Sequence, residues 1–190
     1  MDVLKELRDK TGLSVMQCKK ALEEANGDVA QAEVILRKRS GAAADKKSDR
    51  DLAAGAVATY VHGGEIGAMV LLSCETDFVA RNPEFPALAR EIAMQIAATN
   101  PSYIRDSEID DTALNAAKAV FTEEVKDKPA DMQEKILDGK MQSYFKDQVL
   151  MNQPYIKDDS KTVQQLVDEA SQKFGERVEV SRFARFSARG

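Results

Sequence analysis

The stretch Glu75-Thr76-Asp77-Phe78-Val79-Ala80-Arg81-Asn82-Pro83 stands where one kind of secondary structure must give way to another. Before it, Ala68-Met69-Val70-Leu71-Leu72 is a continuous apolar run that reads as a buried strand. After it, Phe85, Leu88, Ala89, Ile92, Ala93 and Ile96 recur at helical spacing. Asn82 is suited to cap that helix, with Pro83 at its first position. A charged and aromatic octet, Glu75 to Asn82, therefore occupies a strand-to-helix corner, and loops carried by rigid elements are where binding residues concentrate. Phe78 beside Asp77 is either a core plug with a cap or a probe aimed at a partner. The octet alone leaves both readings open.

Working outward toward the N-terminus, Ala56-Val57-Ala58-Thr59-Tyr60-Val61 alternates, with Val57, Thr59 and Val61 on one face. His62-Gly63-Gly64-Glu65 supplies a hairpin turn, and Ile66 to Ser73 returns as a strand. The apolar density of 68–72 predicts cover on at least part of both faces. On the C-terminal side, Asn100-Pro101 stops the first helix and Tyr103-Ile104 is a short anchor. A helix over 111–126 carries Leu114, Ala117, Val120, Phe121 and Val125. Lys128-Pro129 breaks the pattern. Another helix from about Asp131 turns Met132, Ile136, Met141 and Phe145 inward, with Gly139 interrupting it at modest cost. Gln153-Pro154-Tyr155-Ile156 is extended. A last helix runs from Lys161 to Lys173 and ends at Gly175. Residues 177–186 then alternate, with Val178, Val180, Arg182, Ala184 and Phe186 on one face and Phe183 opposite. The pattern predicts an α+β core: a roughly three-stranded antiparallel sheet packed with helices, over residues 54–190.

Residues 1–40 have a different character. Val3, Leu4 and Leu7 share a helical face that Thr11-Gly12 ends. Ser14 caps a second helix with Val15, Cys18, Ala21, Leu22 and Ala25, and Asn26-Gly27 breaks it. Asp28 caps a third with Val29, Ala32, Ile35 and Leu36. This is a three-helix bundle with a very small core, of the kind that serves as a docking module. Residues 41–53, small, polar and charged, read as a linker between bundle and core.

Composition bounds the function. The 190 residues are 43% hydrophobic and 31% charged, which is an ordinary globular balance. A net charge of −5 argues against a nucleic-acid binder. Cys18 and Cys74 match no metal spacing and read as small buried hydrophobes in a reducing, cytoplasmic setting. No apolar run reaches a membrane span, and Met1 to Glu6 lacks a signal core. The acids Asp106, Glu108, Asp110 and Asp111 lack the glycine and spacing of a calcium loop. They suit helix capping, and no metal or other cofactor is expected. His62, the single histidine, and Cys74 sit near opposite ends of one strand. At about 3.4 Å per residue they cannot form a catalytic pair, so no enzyme chemistry is expected. A docking scaffold built on the N-terminal bundle is the main rival to a partner-binding role for the corner.

Several of these motifs also resemble translation elongation factor Ts. In the bundle they are Leu4-Lys5-Glu6-Leu7-Arg8, Thr11-Gly12, Cys18-Lys19-Lys20-Ala21-Leu22 and Asn26-Gly27-Asp28. In the core they are Ala54-Gly55, Cys74 through Asn82, Asn100-Pro101, Lys128-Pro129, Gln153-Pro154, Lys161-Thr162-Val163 and Arg182-Phe183-x-Arg185-Phe186. The resemblance implies a bundle similar to ubiquitin-associated domains and a guanine nucleotide exchange factor that frees GDP from elongation factor Tu. It assigns Thr76, Asp77, Phe78 and Val79 to the corner that intrudes beside the magnesium and phosphate site of the GTPase. It assigns Lys5, Arg8, Val15 and Met16 to the bundle's contact with the nucleotide-binding domain. Tyr60, His62, Gly63 and Gly67 resemble a turn that long members carry in a second core half and direct at another domain of elongation factor Tu. This chain has room for one core half. The resemblance therefore leads to a homodimer in a 2:2 complex, one protomer offering Phe78 and the other the His62 turn.

Overall fold

A computed structural model describes residues 3–127 and 129–189. Met1, Asp2, Lys128 and Gly190 lie outside the described residues, and with them part of the Lys128-Pro129 break and of both chain ends. The fold is α+β, with helices α1 (Val3–Thr11), α2 (Val15–Glu24) and α3 (Val29–Asp45) leading into strands β1 (Ala54–His62) and β2 (Ile66–Cys74). One-turn helix α4 (Asp77–Ala80), α5 (Glu84–Thr99), α6 (Asp111–Val125) and α7 (Ala130–Gln148) follow. The short ribbon β3 (Pro154–Tyr155) and β4 (Asp158–Thr162), then α8 (Val163–Phe174) and β5 (Val178–Ser187), complete the chain.

The bundle forms as its caps dictate. Ser14 and Gln17 make a reciprocal capping box at α2, and Asp28 accepts the Gln31 N–H at α3. Leu7, Leu13, Cys18, Ala21, Ala25, Ala32 and Leu36 fill its small core. The expected linker does not begin at Gly41. Helix α3 continues through Gly41-Ala42-Ala43-Ala44 to Asp45, because its later turns pack along α8. Ser40 Oγ reaches the Gln172 side chain, Arg37 Nη1 donates to the Ser160 carbonyl at 2.6 Å, and Lys47 Nζ donates to the Ser171 carbonyl at 3.1 Å. Alanine-rich sequence is the best helix former, so tertiary contact had only to continue what propensity favoured.

In the core, β2 pairs antiparallel with β1 on one side and β5 on the other, giving the order β1-β2-β5. Gly63 and Gly64 both take positive φ in the tight three-residue β1–β2 turn, which the Glu65 N–H closes on the His62 carbonyl at 3.0 Å. Ala68, Val70 and Leu72 of β2 face α5, whose Phe85, Ala89, Ile92, Ala93 and Ile96 are buried as their spacing predicts. The other face of the sheet is bare. Val57, Val61, Met69 and Leu71 are exposed on it, so among the described residues the expected two-sided cover of β2 is absent.

β5 departs from simple alternation. Leu71 pairs with Arg182 but Leu72 pairs with Val180, so Ser181 is a bulge residue. Its hydroxyl meets Ser73 Oγ at 2.7 Å. One extra residue inverts every side chain beyond it. Val178 and Val180 face the core, but after the bulge it is Phe183 and Arg185 that turn inward. Arg185 Nε donates to the Ala97 carbonyl at 3.1 Å. Arg182, Ala184 and Phe186 therefore lie on the open face, against the reading that grouped them with Val178.

Helices α6 and α7 pair as a hairpin, closed by Phe121, Tyr144 and Phe145 in successive edge-on contacts. Two expected core residues, Val120 and Met132, are exposed, since a two-helix layer buries one narrow stripe and has no third element to cover more. The acidic residues before α6 have local partners. Asp106 accepts from Asn152, Glu108 accepts the Ile104 N–H, and Asp110 caps α6 through the Ala113 N–H. The ribbon β3–β4 takes Lys161 and Thr162 out of the expected last helix, and Thr162 becomes its N-cap with a Gln165 capping box.

Candidate functional site

The corner is a strand end, a one-turn helix and a helix start. β2 ends at Cys74, whose buried Sγ donates to the Thr76 carbonyl at 3.2 Å. Burial pushes that thiol up, which makes it a packing residue rather than a nucleophile. Thr76 caps α4, its Oγ1 accepting the Val79 N–H at 3.4 Å. Val79 is 4% exposed and roots the turn in the core, while Phe78 is 82% exposed and points out. Asp77 pairs with Arg81 one turn on, at 3.3 Å, on the surface. Pro83, in helical conformation, takes the N-cap position of α5 that was expected of Asn82, whose side chain accepts the Glu84 N–H at 3.0 Å just ahead of the helix. The opening alternative is resolved by burial: Val79 and Phe85 are the plugs, and Phe78 is the free tip.

Residues absent from the sequence reading hold this corner. The Glu176 carboxylate accepts the N–H groups of Glu75 and Thr76, each at 3.0 Å, and the Thr76 hydroxyl at 2.5 Å. In return the Glu75 carboxylate accepts the Arg177 N–H at 2.6 Å and the Arg50 guanidinium at 3.1 Å. The Arg177 amide, with Arg50 beside it, holds the Glu75 carboxyl below the usual carboxylate range. Arg177 also donates to the Arg50 carbonyl at 2.7 Å. Gly175, at positive φ, ends α8 and delivers Glu176 and Arg177 to the corner. Glu176 and Arg177 lie about a hundred positions from the corner, and Arg50 lies 25 from Glu75, so no local pattern announces them; the Gly175-Glu176-Arg177 junction is the nearest thing to a signal.

The bundle approaches the same end of the core. A Cβ on Gly12, in the α1–α2 loop, would stand 3.0 Å from the Lys173 side chain. Lys173 Nζ donates to Glu84 Oε1 at 2.6 Å, two residues beyond the corner. Lys5, Arg8, Val15 and Met16 are all exposed on the bundle. They lie on α1 and α2, which the α1–α2 loop joins beside Lys173 in the last turn of α8.

Tyr60, His62, Gly63 and Gly67 form a separate cluster. Tyr60 Oη and His62 Nδ1 are 3.1 Å apart, and the Arg90 guanidinium stands 5.9 Å from the Tyr60 ring centre. This turn is at the opposite end of β2 from the corner. Nine residues at about 3.4 Å each separate the two by roughly 30 Å. One chain thus carries corner and bundle at one end of the sheet and the His62 turn at the other.

The recess beside the tip, about 420 Å³, is lined by Asp77, Phe78, Arg81 and Asn82. A larger hollow, about 780 Å³, lies elsewhere, between the base of the α6–α7 hairpin and α8, lined by Ile109, Leu114, Met141, Phe145 and Met151 among others. Among the described residues no cluster of metal-ligating side chains occurs, and no helix is long and apolar enough to cross a membrane. The corner presents an exposed aromatic tip with a carboxylate and a guanidinium beside it.

Comparison with known proteins agrees over nearly the whole chain. Residues 43–189 match the family model described as Elongation factor TS. The chain is 45% identical to elongation factor Ts of Thermodesulfovibrio yellowstonii over 185 residues, covering 97% of this chain and 93% of that protein. It is 44% identical to elongation factor Ts of Thermotoga maritima over 187 residues, covering 98% and 94%. Identity to elongation factor Ts of an Anaeromyxobacter strain is 45% over 188 residues, covering 97% and 86%. The α+β core with its clamped Thr-Asp-Phe-Val corner, and a match that runs through bundle and core alike, make this chain a member of the elongation factor Ts family of translation factors.

Proposed function

We propose that the chain is a guanine nucleotide exchange factor that binds elongation factor Tu and speeds release of its GDP, without making or breaking a covalent bond itself. The observation that carries this reading is Phe78: a large ring, 82% exposed, at the tip of a turn whose neighbours are buried or clamped. An exposed aromatic on a rigid base costs little to order on binding and transmits displacement to whatever it meets. Magnesium bridges nucleotide phosphates to protein oxygens and tolerates little distortion of its octahedron. A wedge that shifts a neighbouring segment of the GTPase by about an ångström weakens metal and phosphate contacts together. Asp77 stands beside the ring to accept hydrogen bonds from the displaced segment. Lys5, Arg8, Val15 and Met16 supply a second contact, on the nucleotide-binding domain, that holds the wedge in register.

Linkage fixes the cycle. By whatever factor exchange-factor binding weakens GDP, GDP weakens exchange-factor binding by the same factor. The ternary complex is transient, and GTP carries the cycle forward.

The bare sheet face supports a homodimer within this reading. Val57, Val61, Met69, Leu71 and Phe186 make an apolar surface of the kind that marks an interface. A second copy packed there brings a His62 turn to a complex whose Phe78 belongs to the first copy.

The deciding experiment is release of fluorescent GDP from elongation factor Tu. Catalytic amounts of wild type are expected to accelerate it, and Phe78→Ala to lose most of the acceleration. A wild type that binds elongation factor Tu but leaves release unchanged is a docking scaffold. A Phe78→Ala variant that exchanges as wild type moves the wedge to another residue.

A further inference from the structure

We infer that Glu176 is a positioning residue for exchange: its carboxylate sets the direction in which the Asp77-Phe78 tip points. The inference rests on the exchange-factor reading and adds a residue to it. Helix α4 has four residues, Asp77–Ala80. That is too short to hold its own geometry, since nucleating a turn is unfavourable and the first N–H groups of a helix have no internal partner. The tip's direction therefore depends on what grips the entry to the turn. Three groups there are donors, the Glu75 N–H, the Thr76 N–H and the Thr76 hydroxyl, and all three converge on one carboxylate, that of Glu176. Hydrogen bonds to an ionised acceptor are roughly twice as strong as neutral ones. The third bond also takes up the hydroxyl proton of Thr76, leaving its oxygen free to accept the Val79 N–H that closes the turn.

The remaining restraints are weaker or act elsewhere: the Cys74 thiol, a weak donor, reaches only the Thr76 carbonyl. The Asp77–Arg81 pair is exposed on both partners, and such pairs hold geometry weakly. Val79 anchors the base but leaves the turn free to rock about it. The Glu75 carboxylate fixes the Arg177 amide and Arg50, so it secures strand β5 and the chain after α3 rather than the turn. Without Glu176, the Thr76 carbonyl keeps its bonds from Cys74 Sγ and the Ala80 N–H, but the Glu75 and Thr76 N–H groups lose their acceptor, the entry to the turn loosens, and Phe78 follows two residues later. The ring stays exposed and able to touch the partner, but it no longer arrives in one orientation. Binding then persists through the bundle while the coupling to nucleotide falls.

The test compares wild type, Glu176→Ala and Glu176→Gln in fluorescent GDP release from elongation factor Tu over a range of factor concentrations. Amide hydrogen exchange at Glu75 and Thr76 is measured in parallel on the free proteins. Glutamine keeps an oxygen for the two amides and a polar group for Thr76, so it is the conservative rescue. Glu176→Ala is expected to lower the maximal release rate about tenfold, within the usual range of coupling between two sites. The half-saturating concentration should move much less, and exchange at Glu75 and Thr76 should quicken. Glu176→Gln is expected to recover most of the rate and most of the protection. Unchanged maximal release, or unchanged amide protection, in Glu176→Ala overturns the role. So does a loss confined to half-saturation, or one that Gln does not rescue in a folded chain. If wild type itself fails to accelerate release, the exchange-factor reading falls. If wild type is active and Glu176→Ala equals it, that reading stands and the positioning role alone is lost.

Discussion

At the scale of single residues, two phenylalanines seven positions apart have opposite roles. Phe85 is fully buried and meets Phe174 edge-on, ring centres 5.7 Å apart. Phe78 is 82% exposed. Phe85→Ala is expected to cost about 3–5 kcal/mol in urea unfolding, the range for a buried aromatic. Phe78→Ala should stay within about 0.5 kcal/mol of wild type, as surface substitutions do. A multi-kcal/mol loss in Phe78→Ala means that the ring is structural and removes the wedge. Periodicity was enough to mark Phe85, because it sits on the helical stripe with Ala89, Ile92 and Ile96. It left Phe78 ambiguous, because a single aromatic at a corner belongs to no stripe. Glu176 was invisible for a third reason: two of its three partners are backbone amides, which carry no sequence signature, and the third, the Thr76 hydroxyl, lies a hundred positions away.

At the scale of elements, the three-stranded sheet is held by close approaches and one bulge. A Cβ on Gly55 would stand 2.5 Å from the Leu72 carbonyl oxygen and 3.1 Å from the Ser73 Cα, both backbone atoms of the paired strand. Backbone cannot yield as a side chain does, so β1 must shift at the end that adjoins the corner. Gly55→Ala is expected to destabilise by about 1–3 kcal/mol, the usual cost of overpacking. Thermal unfolding measures it, and a neutral result means that β1 relaxes freely there. The strands themselves were legible from alternation and the double-glycine turn. The bulge at Ser181 was not, since an inserted residue leaves the local pattern of β5 intact and shows only in its register against β2. That one residue decides that Arg185 serves α5 while Phe186 joins the open face.

At the scale of the whole molecule, the bundle docks through a polar seam between α3 and α8. Asp168 lies in it, accepting from Gln164 at 2.8 Å. Burial raises its carboxyl above the ordinary 3.8; Gln164 opposes the shift, and the nearby Asp45 and Glu169 carboxylates add to it. A carboxyl raised in the fold binds protons more readily than in the unfolded chain. Its contribution to stability is therefore lost as pH rises from near 3.8 through the raised value. Asp168→Asn is expected to raise the melting temperature at pH 7, with the gain shrinking below pH 4; a gain that persists in acid has another cause. The sheet's open face makes the second prediction at this scale. Sedimentation of wild type should give a dimer, and Met69→Lys, at the centre of that face, should give a folded monomer. A wild type that sediments as a monomer, alone and bound to one elongation factor Tu, removes the dimer.

The sequence by itself determined the α+β class, the caps of α2 and α3, the hairpin and the strand-to-helix corner, because each follows from local propensity and period within a dozen residues. It also carried the family, through motifs spread in order along the chain. Tertiary structure alone decided which way the corner's aromatic points, which face of the sheet is bare, how far α3 runs, and what grips the turn at Thr76. Those outcomes depend on contacts between residues far apart in the chain: Glu176 on Thr76, Ser181 against Ser73, α8 along α3. Such pairings leave no trace in any short stretch of either partner, since the partner supplies the geometry and local sequence supplies only groups able to meet it.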